Sequence, residues 1–462
     1  MAETRRIALH WKIVIALVLG VALGLALNQW WTAETWRGLG VGDAGAFLAG
    51  KASEANAQAD WRAHAARGVA RGAAFAGLVF LNLLRFVAVP LVLFSLISAA
   101  AGMGDVRRLG RLGGRTVALF AVTLAAAIAI GLAGANLVRP GEYVPEASRQ
   151  ALAAGQQQAV ATAAGRAGDY GFWSILTSCV PTNPFDALAR ADMMQIVVMA
   201  LLIGACLTML PREKSGPVAS VCEGLYEVFL KIVGVVMRVA PLAVFCLMAR
   251  TASQLGLDVV KALGVFCLVV VGCLLAQVVL VYLPIVVAVG RMGVGRFVRG
   301  IAEAQLVAFT TSSSAATLPV TMRCVEQRLG VPKDVVSFVC AAGTTINMDG
   351  TALYQTVVAL FVAQMYGVDL TLGQQLTIAL MAALASVGAP GIPSGGTVLL
   401  VGVLQSVGLP VEGIAVILGV DRLMDMCRTV VNVTGDAVGS VVVARWIGPG
   451  ASSGQGGAAP GA

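Results

Sequence analysis

The segment Asp421–Asp436 reads DRLMDMCRTVVNVTGD. It carries three aspartates, an asparagine and two arginines within sequence otherwise apolar enough to cross a bilayer. Asp421, Asp425, Arg428, Asn432 and Asp436 are spaced four, three, four and four residues apart. At about 100° per residue they fall in a stripe about 80° wide on one helical face, with Arg422 off it. An ionised group at a bilayer midplane costs about 2.5–3.5 kcal/mol on insertion scales, so an aligned set requires compensating partners. Other helices, water, bound cations or a charged solute are the available ones. Two readings follow: an internal salt-bridge network that locks helices together, and a site for substrate or ions. The second is preferred.

The rest of the chain supports a membrane setting. Of 462 residues, 58% are hydrophobic and only 12% charged, and the mean hydropathy is +0.85. Soluble domains carry about 25% charged residues, which excludes an ordinary globular enzyme. Apolar stretches of spanning length run over Trp11–Ala26, Ala74–Ala101, Val117–Val138, Met193–Leu210, Val218–Ala249 and Val259–Val289. The first resembles a signal peptide, but no small-x-small cleavage site follows, so a retained helix is expected.

The formal charge of +8 is a topology signal rather than a nucleic-acid footprint. Arg5, Arg6 and Lys12 precede the first span, Arg107, Arg108, Arg111 and Arg115 follow the second, Arg212 and Lys214 the fourth, and Arg291, Arg296 and Arg299 the sixth. Basic residues in alternate loops put the N-terminus in the cytoplasm. Nine cysteines lie mostly inside apolar runs without a C-x-x-C pair, so they read as packing residues. His10 and His64 fall outside the spans, which argues against histidine catalysis in the membrane.

Up to about residue 290 the spans are long and nearly uniform. Glu223, Glu227 and Lys231 interrupt the fifth on one face and are expected to turn toward protein. Residues 139–177 read as a long outer loop and residues 448–462 as a disordered tail. Beyond 290 the apolar runs shorten and are broken by TTSSSAATLP (Thr310–Pro319), TTINMDGT (Thr344–Thr351) and GAPGIPSGG (Gly388–Gly396). Irregular backbone at membrane depth is tolerated only against protein or a wet cavity. The serine cluster and the Gly391–Gly396 cluster therefore predict two re-entrant hairpins, one from either side of a transporter site.

Asn347 and Asp349 diverge on a helix but converge on an unwound turn, which also frees carbonyls for a hard cation. They read as cation ligands, with Asp436, or as caps of a broken helix. At Ser312–Ser314, hydroxyls and half-helix amides suit a carboxylate, and bonding to their own backbone is the equal alternative. GAPGIPSGG reads as a flexible lid. Asp349, Asp425 and Asp436 against Arg428 leave a formal −2, so an acidic solute and cations must bind together. Sodium at the carboxylates, or a proton on one of them, satisfies this equally.

The motifs SSSAATLP, NMDGTALYQ, GIPSGG and DRLMDMCRTVVNVTGD, taken in order, closely resemble the dicarboxylate/amino acid:cation symporters, the glutamate transporter family. The resemblance extends from HWKIVIALVLGVALGL to Trp446. It implies an all-α membrane protein with eight transmembrane helices, two re-entrant hairpins and inverted repeats, assembled as a homotrimer in the cell inner membrane with both termini cytoplasmic. In residues 1–290, helices 1, 2, 4 and 5 would form the trimerisation scaffold, and helices 3 and 6 would move with the transport core at 291–447.

Family members hold the substrate amino group at the position of Asp425 and its side-chain carboxylate at that of Arg428. Thr351, Thr429 and Asn432 would complete the pocket, with Ser313, Ser314 and Ile392 approaching from the hairpin tips. One sodium site would use Gly343, Asn347, Asn432 and Asp436. A second would use backbone oxygens around Thr345, Ser386, Val387 and Ala389, and a third Asn347, Asp349 and Thr123. Ala389-Pro390 and Ser394-Gly395-Gly396 depart from the usual hairpin tip, and Gln355 replaces the proton-carrying glutamate of animal members, so potassium-coupled return is not expected.

The expected function is sodium-driven import of L-aspartate or L-glutamate, with membrane lipid and no nucleic acid as surroundings. The alternatives are proton coupling or a broader dicarboxylate range and, from other classes, an ion channel or an aspartyl protease built on Asp349 and Asp436.

Overall fold

Hydrocarbon offers backbone amides no hydrogen-bond partner, so long apolar runs close their own N–H···O=C bonds as helices. A computed structural model describes residues 9–49, 54–102, 111–146, 149–150, 180–387, 389, 391, 393 and 395–447, and among these it contains helices and turns but no strand. The N-terminal runs become α1 (Leu9–Trp30), α2 (Trp61–Gly102), α3 (Arg111–Val138), α4 (Met193–Met209), α5 (Arg212–Leu255) and α6 (Leu257–Ala276). A π-helical turn, Gln277–Tyr282, carries α6 on into Leu283–Ala288. Five of the described helical stretches are long and apolar enough to cross a membrane.

The shorter, interrupted runs form α7 (Val294–Thr311), α8 (Ser314–Arg323), α9 (Lys333–Ile346), α10 (Asp349–Met365), α11 (Leu372–Val387), α12 (Gly395–Ser406) and α13 (Ile414–Ile447). The expected break in TTINMDGT is present. α9 stops at Ile346, Asn347 and Met348 leave helical geometry, and α10 starts at Asp349.

Packing groups these helices. α1 lies along α5, α5 along α2, and α4 along α2. α10 is buried over its whole length, with α3, α6, α11, α12 and α13 around it. α9 and α7 both pack on α13. Gln305 Nε2 donates to Thr434 Oγ1 at 3.0 Å, and the Cys340 and Ser440 side chains meet at 3.3 Å. α7 and α8 form one packed pair of consecutive helices, and α11 and α12 another.

Glu223, Glu227 and Lys231 are exposed on the single chain, on which α5 packs against α1 and α2. The expected tail at 448–462 and residues 147–148 and 151–177 of the outer loop lie outside the described residues.

Candidate functional site

The charged face of α13 points inward. Asp421, Asp425, Arg428, Asn432 and Asp436 are all buried, with Arg428 only 1% exposed. Its Nε and Nη2 each lie 2.9 Å from Asp425 Oδ1, and Nη2 is 3.5 Å from Asp421 Oδ1. The guanidinium stacks on Tyr354, its Cζ 4.3 Å from the ring centroid. Tyr354 OH donates to Asp421 Oδ1 at 2.8 Å, and Thr397 Oγ1 donates to Asp421 Oδ2 at 2.7 Å. Arg428 Nη1 is buried with no protein partner. Thr429 Oγ1 turns back to the Asp425 carbonyl at 2.7 Å.

Arg422 requires a correction. Its Cβ leaves the stripe, but its long side chain reaches back and places Nη1 3.4 Å from Asp425 Oδ2. Asp425 therefore has a guanidinium on each oxygen. Helical angle locates where a side chain starts, and a long cation travels several ångströms from there.

One turn further along α13 lies an oxygen-rich patch. Asn347 Nδ2 donates to Asp436 Oδ1 at 2.9 Å and to the Asn432 carbonyl at 3.2 Å. Asn432 Oδ1 accepts from the Gly350 amide at 2.8 Å, and its Nδ2 donates to Thr351 Oγ1 at 3.2 Å. Gly343 is required where it stands: a Cβ there would collide with Asp436 Oδ1. Asp349 Oδ2 accepts from Tyr282 OH at 2.9 Å and from Gln277 Nε2 at 3.2 Å, while Gln277 Nε2 also reaches the Thr123 carbonyl at 3.0 Å.

Asn347 occupies the C-cap position of α9, its amide donating to the Gly343 carbonyl at 2.8 Å, while the side chains of Asn347 and Asp349 bond across to α13 and to the π turn after α6. Asp349 Oδ1, Asn347 Oδ1 and Gln277 Oε1 are buried without a protein partner. Oxygen-only donors of this kind suit a hard cation. Among the described residues no group of three or more His, Cys, Asp and Glu is placed to hold a metal ion.

The two interrupted segments meet. Ser312 takes a left-handed conformation (φ 51°) between α7 and α8, and Ser313 caps α8 by accepting from the Ala316 amide at 3.1 Å. The Ser313 hydroxyl donates to the Gly391 carbonyl at 2.6 Å, and the Ala315 amide reaches the same oxygen at 3.2 Å. Ser313 thus bonds its own backbone, as one reading of the serine cluster expects, and the opposite segment as well.

The whole length of the helical core, residues 9–446, matches the family model described as the sodium:dicarboxylate symporter family. The chain belongs to this family.

Relatives agree. A proton/glutamate-aspartate symporter of Escherichia coli is 32% identical over 96% of this chain and 93% of its own length. A proton/sodium-glutamate symport protein of Bacillus subtilis is 37% identical over 80% of this chain and 85% of its own. A C4-dicarboxylate transport protein of Anaeromyxobacter is 36% identical over 80% and 82%. This is a membrane protein of a transporter family, not of an enzyme family.

For a symporter the electrostatics matter most. Asp349, Asp421, Asp425 and Asp436 face Arg422 and Arg428, which leaves a formal −2. The sequence sum is the same, but it omits Asp421 and Arg422, which cancel. Asp421 lies on the recognised stripe without a role assigned, and Tyr354 and Thr397, which hold it, are hidden as an aromatic and a hydroxyl in apolar helices. Gln277 and Tyr282 were open to detection as polar residues in an apolar run, but their five-residue spacing answers to a π turn and not to α periodicity.

Not every candidate converges. Ser314 and Thr351 are buried within the site region, whereas Thr345 is exposed. Ser386 is buried, and its carbonyl accepts from the Ala389 amide at 3.0 Å. Val387 ends α11, which touches α9. Ile392, Pro390 and Ser394 lie outside the described residues.

Proposed function

We propose that this chain is a secondary active symporter that imports L-aspartate or L-glutamate together with sodium ions, by an elevator movement of a transport domain against a scaffold. One observation carries this reading. A buried arginine and aspartate, Arg428 and Asp425, share helix α13 with Asn432 and Asp436, which both accept from Asn347 in the broken segment between α9 and α10. A guanidinium fork is the natural partner of a substrate carboxylate, and Asp425 of its ammonium group. Thr351, Thr429 and Asn432 would line the pocket, with Ser313 and Ser314 at one tip.

Sodium enters as a co-transported substrate. Gly343, Asn347, Asn432 and Asp436 form one site; Thr345, Ser386, Val387 and Ala389 a second; Asn347, Asp349 and Thr123 a third. The partnerless oxygens of Asn347 and Asp349 support this. With the site at a formal −2, an acidic solute binds poorly until cations arrive, and that dependence is the coupling.

The architecture proposed is eight transmembrane helices and two re-entrant hairpins. At 16 and 12 residues, α11 and α12 reach about 24 and 18 Å, short of a hydrocarbon core of about 30 Å. The packing of α1 on α5, α5 on α2 and α4 on α2 supports their assignment as one scaffold unit, which would also make the trimer contact. Helices α3 and α6 would travel with the core at 291–447, and both termini face the cytoplasm of an inner-membrane protein.

A second reading, proton coupling, is favoured by the Escherichia coli relative's name and by the bare Asp349 Oδ1, which would take the proton. A broader dicarboxylate range is favoured by the Anaeromyxobacter relative. Radiolabelled aspartate uptake into proteoliposomes, with sodium and proton gradients imposed separately, decides. Accumulation on a sodium gradient at fixed pH is expected. Accumulation on a proton gradient alone establishes the second reading, and no accumulation of aspartate or glutamate on either overturns both.

A further inference from the structure

An ammonium group that docks on Asp425 meets a carboxylate with both oxygens already engaged. Arg428 holds Oδ1 through two contacts of 2.9 Å. It is fully enclosed and braced by Tyr354. Arg422 holds Oδ2 through one longer contact of 3.4 Å, its side chain is 11% exposed, and its Nε is buried without a partner. The two arginines are therefore unequal. Arg428 is fixed, whereas Arg422 is the partner that a substrate can displace.

We propose that Arg422 is a specificity-determining residue that stands in for the substrate's ammonium group on Asp425. The inference rests on the pocket assignment proposed above and deepens it. When an acidic amino acid enters, its ammonium takes Oδ2 and Arg422 swings away. When a C4-dicarboxylate enters, no ammonium is available, and Arg422 stays to keep Asp425 paired. Without Arg422, a dicarboxylate would bring two negative charges beside a carboxylate missing half its compensation. Like charges that close in a poorly hydrated site repel strongly. Arg422 thus admits dicarboxylates beside acidic amino acids, at some cost to the amino acids it competes with.

The test is competition by unlabelled succinate against radiolabelled aspartate uptake in proteoliposomes. It is run on the wild type, Arg422→Gln and Arg422→Lys, with each inhibition constant divided by that protein's aspartate KM. In the wild type succinate competes. In Arg422→Gln the ratio rises at least tenfold. In Arg422→Lys, which keeps the charge, it stays within about threefold of wild type. A wild type that succinate does not inhibit overturns the inference, as does an Arg422→Gln ratio equal to wild type or a parallel loss of both ligands. A wild type that takes up no aspartate instead overturns the pocket assignment itself.

Discussion

The Tyr282 hydroxyl donates to Asp349 Oδ2 at 2.9 Å and so ties the π-helical turn after α6 to the first residue of α10. Gln277 donates to the same oxygen from five residues earlier. On a regular α-helix, residues five apart point about 140° away from one another. The wider π turn brings them to one face and spends both donors on Oδ2, while Oδ1 is buried without a hydrogen-bond partner.

Tyr282→Phe removes one of these two donors from a buried carboxylate. A hydrogen bond to a charged group contributes about 1.5–3 kcal/mol. The variant is expected to melt at lower temperature than wild type without sodium and to recover part of that loss in saturating sodium. Thermal unfolding of detergent-solubilised protein with and without sodium checks this; an unchanged melting temperature contradicts it.

Arg428→Cys strips Asp421 and Asp425 of their shared counter-charge. Breaking a buried ion pair from one side costs about 3–5 kcal/mol, and the fork for a substrate carboxylate disappears with it. Acidic amino-acid uptake should be abolished, and neutral amino acids become the substrates to try. Undiminished aspartate uptake in this variant would remove Arg428 from the pocket.

Asp436→Asn keeps the shape of the side chain but loses its charge beside Asn347 and Gly343. The sodium concentration for half-maximal aspartate uptake should rise by about tenfold or more, equivalent to about 1.4 kcal/mol. The order in which competing amino acids inhibit should stay the same. A sodium titration that matches wild type would take Asp436 off the ligand set.

Gly396→Ala places a methyl group 2.8 Å from Thr351 Cγ2 and 3.3 Å from Arg428 Nη1. Overpacking of this kind costs about 1–3 kcal/mol, and here it presses on the partnerless arm of the guanidinium. Aspartate affinity should fall by about tenfold, as read from the uptake KM. An unchanged KM would mean that α12 does not wall the pocket.

The buried face of α13 is legible in the sequence because 100° per residue aligns Asp421, Asp425, Arg428, Asn432 and Asp436, and charge in an apolar run must turn inward. The break before Asp349 is legible for a related reason, since Asn347 and Asp349 make sense together only off a helix. What the periodicity conceals are contacts that depend on reach or on irregular helix. Arg422 returns to Asp425 through its length, and Gln277 and Tyr282 align only on a π turn. Tyr354 and Thr397 carry no charge, so nothing marks them until Asp421 is seen between them. The exposed Glu223, Glu227 and Lys231 show the converse limit: a polar face on a spanning helix does not say which neighbour it meets.

The most direct test is calorimetric titration of the purified protein with aspartate, first without sodium and then at rising sodium at constant pH. Because the empty pocket carries excess negative charge, affinity should climb by at least tenfold as sodium rises, and aspartate should tighten sodium binding by the same factor. Equal aspartate affinity at every sodium concentration would contradict the claim that sodium neutralises this site for an acidic solute.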